Sequence, residues 1–156
     1  GELYHDWEVI EGLRASGRRL STVHAVDSAY KCSSKETGRN TRSALQTLAA
    51  WLATDGVPLI AYDNLESFSE AAGESVHVLM HSDAPLCAGG GFQLPHVMRP
   101  RALYLYMAHG TGAVFEAWQK PPLGPGEVPA VSGIAHMGLK LLERRAWPPA
   151  EEHQVC

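Results

Sequence analysis

The sequence is poor in several features that would have narrowed its function. Among 156 residues there are three cysteines, Cys32, Cys87 and Cys156, far apart and with no CxxC. That excludes a disulfide-dense mini-protein and gives no compact zinc motif. An odd count leaves one thiol unpaired, which favours a reducing compartment. No apolar run approaches the ~18–20 residues of a membrane span, and the first residues hold no apolar signal core. A soluble chain, cytoplasmic rather than secreted, is the expectation. No charge of one sign dominates: 13 Lys+Arg face 17 Asp+Glu, for a net charge of −4. Bulk attraction to nucleic acid is therefore not indicated, although a local basic patch stays open. Internal repeats and low-complexity blocks are absent.

What is there is ordinary globular material, 45% apolar and 19% charged. The length suits one domain able to bury a core. Residues 1–147 are expected to form it, with 148–156 as a loose tail. The chain begins at Gly1 without Met, which fits a piece of a longer protein.

Hydrophobic spacing predicts alternating elements. Asp6 can cap a helix from Trp7 to Ser16 that Gly17 stops. A strand over Thr22–Asp27 precedes a polar loop, Tyr30–Thr41. Leu45, Leu48, Ala49 and Leu52 make a helical stripe in Arg42–Asp55, closed by Gly56. Val57–Tyr62 reads as a strand, Leu65–Ala72 as a helix, Ser75–Met80 as a strand and Ser82–Arg101 as irregular. Ala102–Ala108 reads as a fourth strand. Val114, Phe115 and Trp118 predict a short helix over Gly112–Gln119. A Pro/Gly-rich stretch, Lys120–Ala130, precedes a last helix from Ser132 to Ala146, with Leu141 and Leu142 inward. This order predicts an α/β fold, a single three-layer domain. Its sheet would have four to five strands, mostly parallel, with a mixed sheet as the alternative and helices on both faces.

Each predicted strand runs at once into polar groups: Asp27-Ser28, Asp63-Asn64, His81-Ser82-Asp83 and His109-Gly110-Thr111-Gly112. In open α/β sheets ligands bind beyond the carboxyl ends of the strands. Gathered there, Asp27, Asp63 and Asp83 suit a divalent metal, Mg or Mn, or general-base work. His81 and His109 would move protons. Gly110, Thr111 and Gly112, at a strand-to-helix turn, would hold an anion with their backbone N–H groups. Arg42 opens a helix, where a cation opposes the helix dipole, which suggests an anion or salt bridge for it. The plain alternative is that Asp, Asn, Ser and Gly end strands because they make turns.

Weaker constellations are present too. His77 and His81, four apart, suggest a transition-metal site with Cys87 or His96. Cys87 or Cys32 would be the nucleophile of a thiol hydrolase, with His81 or His96 as base. Gly89-Gly90-Gly91 can serve as the hinge of a lid. The stretch RNTRSALQTLAAWLATDGVPLIAYDN, with Asp27 upstream, is faintly similar to the helix–strand core of ribonuclease-H-like folds. Ala44 stands where that pattern places a Glu. The similarity implies phosphoryl chemistry at Asp27 and Asp63. The leading expectation is a small hydrolase for a phosphorylated or nucleotide-like ligand. Against it stand a non-catalytic protein-interaction domain, with Tyr104, Tyr106, Trp118 and Trp147 as anchors, and the thiol hydrolase.

Overall fold

A computed structural model of the chain describes residues 3–31, 37–82, 94–108, 114–122 and 139–146. They fall in two compact units, Gly1–Ala71 and Ala72–Cys156.

The first unit is helical around a short strand pair. Its elements are α1 (Tyr4–Ala15), β1 (Val23–Val26), α2 (Thr37–Ala53), β2 (Leu59–Tyr62) and α3 (Leu65–Ala72), whose last residue belongs to the second unit. The stripe along α2 does what its spacing predicts. Leu48 and Leu52 are buried with Ile10 of α1 and Val57, and Leu20, Val23, Trp51 and Leu59 pack around them. Both long helices close in the same way. The Gly56 N–H donates to the Ala53 carbonyl and the Val57 N–H to that of Leu52, with Gly56 at φ 70°. Gly17, at φ 76°, and Arg18 repeat the pattern on the carbonyls of Arg14 and Leu13. Such closure satisfies the last carbonyls and needs a left-handed residue, which glycine supplies without a Cβ clash. At the first of these ends Val57 and Leu52 also meet in the core.

β1 and β2 run parallel, with Val23 beside Leu59 and Val26 beside Tyr62. Alternation sends Val23 and Leu59 to the α1–α2 core. It sends His24 and Tyr62 to the other face, where both rings meet Phe68 of α3.

The helix starts differ from expectation. α1 begins at Tyr4, so Asp6 lies in its first turn, and Leu3 occupies the cap position without a side-chain bond. The polar segment after Tyr30 is not all loop. Ser28–Lys31 is a 3-10 turn, and α2 already begins at Thr37. Thr41, buried in the early part of α2, shows that packing extends the helix past its periodic apolar stretch.

The second unit holds β3 (Val76–Ser82), the single turn α4 (Leu94–Val97), β4 (Met98–Ala108), β5 (Val114–Gln119) and β6 (Lys140–Ala146). Its four-stranded sheet has the order β3-β4-β5-β6. β3 and β4 are parallel, whereas β4–β5 and β5–β6 are antiparallel. The chain thus mixes helix and strand as expected. Its described strands, however, lie in two sheets rather than one, and only the β1–β2 and β3–β4 pairings are parallel.

Two predicted helices are strands. Residues 114–119 form β5: Val114, Phe115 and Trp118 have helical spacing, but they are also the β-branched and aromatic types that favour a sheet. Residues 140–146 form β6, and Leu141 and Leu142, expected inward, are exposed. The segment 132–138 of that predicted helix lies outside the described residues. No described helix is long and apolar enough to cross a membrane.

Candidate functional site

In the first unit the parallel pairing carries Asp27 and Asp63 to the same end of β1 and β2. The Asp27 N–H continues the ladder by donating to the Tyr62 carbonyl at 3.0 Å. Each aspartate also performs local turn work. Asp27 Oδ1 accepts the Ala29 N–H at 2.8 Å, and its carbonyl accepts the Tyr30 N–H, which folds the 3-10 turn. Asp63 Oδ1 accepts from Asn64 Nδ2 at 2.8 Å, while Asn64 Oδ1 caps α3 through the Ser67 N–H.

Beside this strand end lies an open hollow of about 560 Å³, lined by Tyr30, Arg42, Leu45, Gln46, Ala61, Tyr62, Asp63 and Ser67. Three elements and a turn build it. Arg42, Leu45 and Gln46 fall at i, i+3 and i+4 on α2, so they share a face. Ala61, Tyr62 and Asp63 come from the end of β2, Ser67 from the first turn of α3, and Tyr30 from the turn after β1. Arg42 and Asp63, both expected at a site, are thereby brought to one concavity.

Two tyrosines shape its chemistry. Burial, reinforced by the charges of Asp27 and Asp6, pushes the Tyr30 hydroxyl up to about 12. It therefore stays a proton donor at neutral pH. The Tyr62 hydroxyl lies 3.2 Å from His24 Nδ1, with the two rings stacked at 5.7 Å. Burial holds His24 below its ordinary 6.5, so its ring is a neutral partner for that hydroxyl at pH 7.

The second unit contains His81, on β3 within a polar and aromatic stretch of sheet. His81 Nδ1 is 3.3 Å from the hydroxyl of the fully buried Tyr104, and its ring stacks on Tyr106 at 5.7 Å. Burial raises the Tyr104 hydroxyl well above its usual range, with smaller contributions from Tyr106 and Glu116. Nearby in the sheet, Glu116 accepts from Trp118 Nε1 and pairs with Arg144, each at 3.1 Å. Tyr104, Tyr106 and Trp118, weighed above as interface anchors, are buried.

Asp83, His109, Gly110, Thr111 and Gly112 lie outside the described residues, as do Cys32, Cys87, Cys156, the glycine run 89–91 and Trp147. Among the described residues no group of three His, Cys, Asp or Glu side chains is placed to hold a metal ion. Asp27 and Asp63 are the described part of the expected metal set.

Sequence reasoning missed Tyr30, Tyr62, His24, Gln46 and Ser67. A signal for Tyr62 was present, since it directly precedes Asp63 at the strand end. Gln46 was also readable, four residues after Arg42 on the same helix. Tyr30 was hidden because its segment read as loop.

In comparisons with known proteins, no family model, no curated protein and no solved structure matches this chain.

Proposed function

We propose that the hollow at the carboxyl end of β1 and β2 binds a small phosphorylated, nucleotide-like ligand. The observation that carries this reading is that Arg42 and Asp63 line one concavity together with two tyrosines, Tyr30 and Tyr62. Arg42 supplies a permanent cation with forked donors for phosphoryl oxygens. Tyr30 offers a hydroxyl donor and Gln46 an amide. The Tyr62 ring, braced by His24, offers a flat wall, and Asp63 accepts from ligand hydroxyls or amines.

The reading extends to hydrolysis. Asp63 would take a proton from an attacking water, and Arg42 would carry the charge that develops on the phosphoryl oxygens. Asp27 and Asp63 would be the residues to hold a divalent Mg or Mn ion, which would supply positive charge to the phosphoryl oxygens.

The test is a thermal-shift titration with AMP, ATP and inorganic phosphate, each with and without Mg²⁺ or Mn²⁺. A ligand at about 100 times its dissociation constant stabilises the fold by about 2.7 kcal/mol. That gain should appear in the wild type and vanish in Arg42→Ala. Stabilisation by none of these ligands, or stabilisation untouched by Arg42→Ala, overturns the reading. ³¹P spectra of the same samples would report any hydrolysis.

A second reading, a protein-interaction surface, draws on β6, where all seven residues are exposed, Leu141 and Leu142 among them. Pull-down by the wild type but not by Leu141→Asp/Leu142→Asp, with no ligand shift in either, would favour it.

A further inference from the structure

A second polar feature, on β4, is independent of the hollow. β3 and β4 pair Val76 with Met98 and then Val78 with Leu103, so β4 spends four residues, Arg99 to Ala102, where β3 spends one, His77. The excess chain bulges outward. Arg99, Pro100 and Arg101 are all exposed, while Ala102 and Met98 on either side are buried.

The bulge is built rather than loose. The Arg101 N–H donates to the Lys120 carbonyl at 2.7 Å, and the Lys120 N–H returns a bond to Ala102 at 2.9 Å. Gln119 Nε2 donates to the Arg101 carbonyl. The ammonium of the buried Lys120 donates to the Met98 carbonyl at 2.7 Å. Pro100 fixes its own φ between the two arginines.

Arg101 adopts φ 66°. That left-handed conformation is disfavoured for any residue with a Cβ and is the usual place of glycine. A chain that needed only the turn would be better served by glycine, since Arg101 is exposed rather than part of the core. Strain of this kind clusters where a side chain has work to do.

The neighbours define that work. Arg99 Nη1 donates to Nε2 of the exposed His77 at 3.2 Å, an imidazole where a carboxylate would be the usual partner. Among the described residues neither Arg99 nor Arg101 has a carboxylate partner, although acidic residues outnumber basic ones in the chain. Two residues of chain span at most about 7 Å, so two arginine side chains can close on one small anion.

We propose that the Arg99-Pro100-Arg101 bulge, with His77, is a binding site for a phosphoryl group, and that the strain at Arg101 is kept for this purpose. A phosphomonoester fits because its two negative charges and tetrahedral oxygens take two forked guanidinium groups at once. His77, whose Nε2 accepts from Arg99, has its Nδ1–H as a further donor. The site does not depend on the reading of the hollow in the first unit.

The experiment is a ¹H–¹⁵N NMR titration of the Arg42→Ala protein, in which the hollow lacks its cation. The probes are inorganic phosphate and phenyl phosphate, with acetate at matched ionic strength as control. Saturable shifts at residues 76–78 and 98–102 are expected with both phosphates and not with acetate. Adding Arg99→Ala, or Arg101→Gly, should weaken binding at least tenfold. Arg101→Gly should also unfold at or above the temperature of its parent, which shows that the turn survives and only the side chain is lost. No saturable shift, an equal response to acetate, or undiminished affinity in both variants overturns the proposal. Saturation by phenyl phosphate without inorganic phosphate would show ring contacts instead of phosphoryl recognition and would overturn it equally.

Discussion

The two units solve the problem of burial with different materials. The first is centred on aliphatic side chains, Ile10, Leu48, Leu52 and Val57, with Phe68 and, among the described residues, a single polar one, Thr41, also buried, and its aspartates and Asn64 sit at strand ends and helix caps. The second buries Glu116, Lys120 and the hydroxyl-bearing Tyr104 and Tyr106 inside a sheet. Aliphatic packing tolerates approximate geometry, because dispersion and solvent exclusion are non-directional. Buried polar groups tolerate little, because each needs its partner at hydrogen-bond distance. The first unit should therefore weaken through lost volume and the second through lost partners.

The largest effect is expected from Leu52→Ala, since Leu52 is wholly buried. Urea unfolding should show a loss of about 2–5 kcal/mol. Hydrogen exchange would sharpen the comparison: loss of protection confined to α1, α2 and β1–β2 marks the first unit as a separate cooperative block, whereas equal loss in β3–β6 breaks the distinction.

Next in size is Lys120→Met, which keeps most of the apolar stem but strips the Met98 carbonyl of its donor. A loss of about 1–3 kcal/mol is expected in the same assay. If the variant is instead more stable, the buried ammonium is a net cost and the second unit does not depend on it.

The smallest effect is a matter of pH. Burial holds the folded His24 below 6.5, so protonation disfavours the folded state. The sign follows: this contribution is fully present above the unfolded value and is lost as pH falls through the lowered folded one. Stability should decline as pH drops from 7 to 5, and His24→Phe, which keeps an aromatic ring against Tyr62 and Phe68, should flatten that slope. An unchanged slope would assign the decline to other groups.

The same contrast explains what could be read from the sequence. Leu45, Leu48, Ala49 and Leu52 announce α2, while Gly17 and Gly56 announce two helix ends, because aliphatic periodicity and left-handed glycines act locally. The strand centres of β1 to β4 were legible for a similar reason. β5 and β6 were not. In β5 the buried positions include Glu116 and Trp118, so its inward face does not read as apolar. In β6 Leu141 and Leu142 imitate a helix stripe, but the strand is held by pairing to β5, a long-range partner that no local window contains. At the site, Asp27 and Asp63 were legible as strand-end residues. The hollow was not, because Tyr30 and Gln46 reach it only once α2 is placed against β2.

One feature of β6 has a bearing on how the sheet ends. Along β5, Ala117 pairs with Glu143 but Trp118 pairs with Leu141, which leaves Leu142 as an extra residue in the outermost strand of the sheet's described order. A newcomer strand laid along that edge would meet a break in register within a few residues, flanked by Glu143, Arg144 and Arg145. Irregular, charged borders of this kind act as a terminus for hydrogen-bonded growth. Deleting Leu142 would straighten the border and turn a closed margin into a template for stacking copies edge to edge.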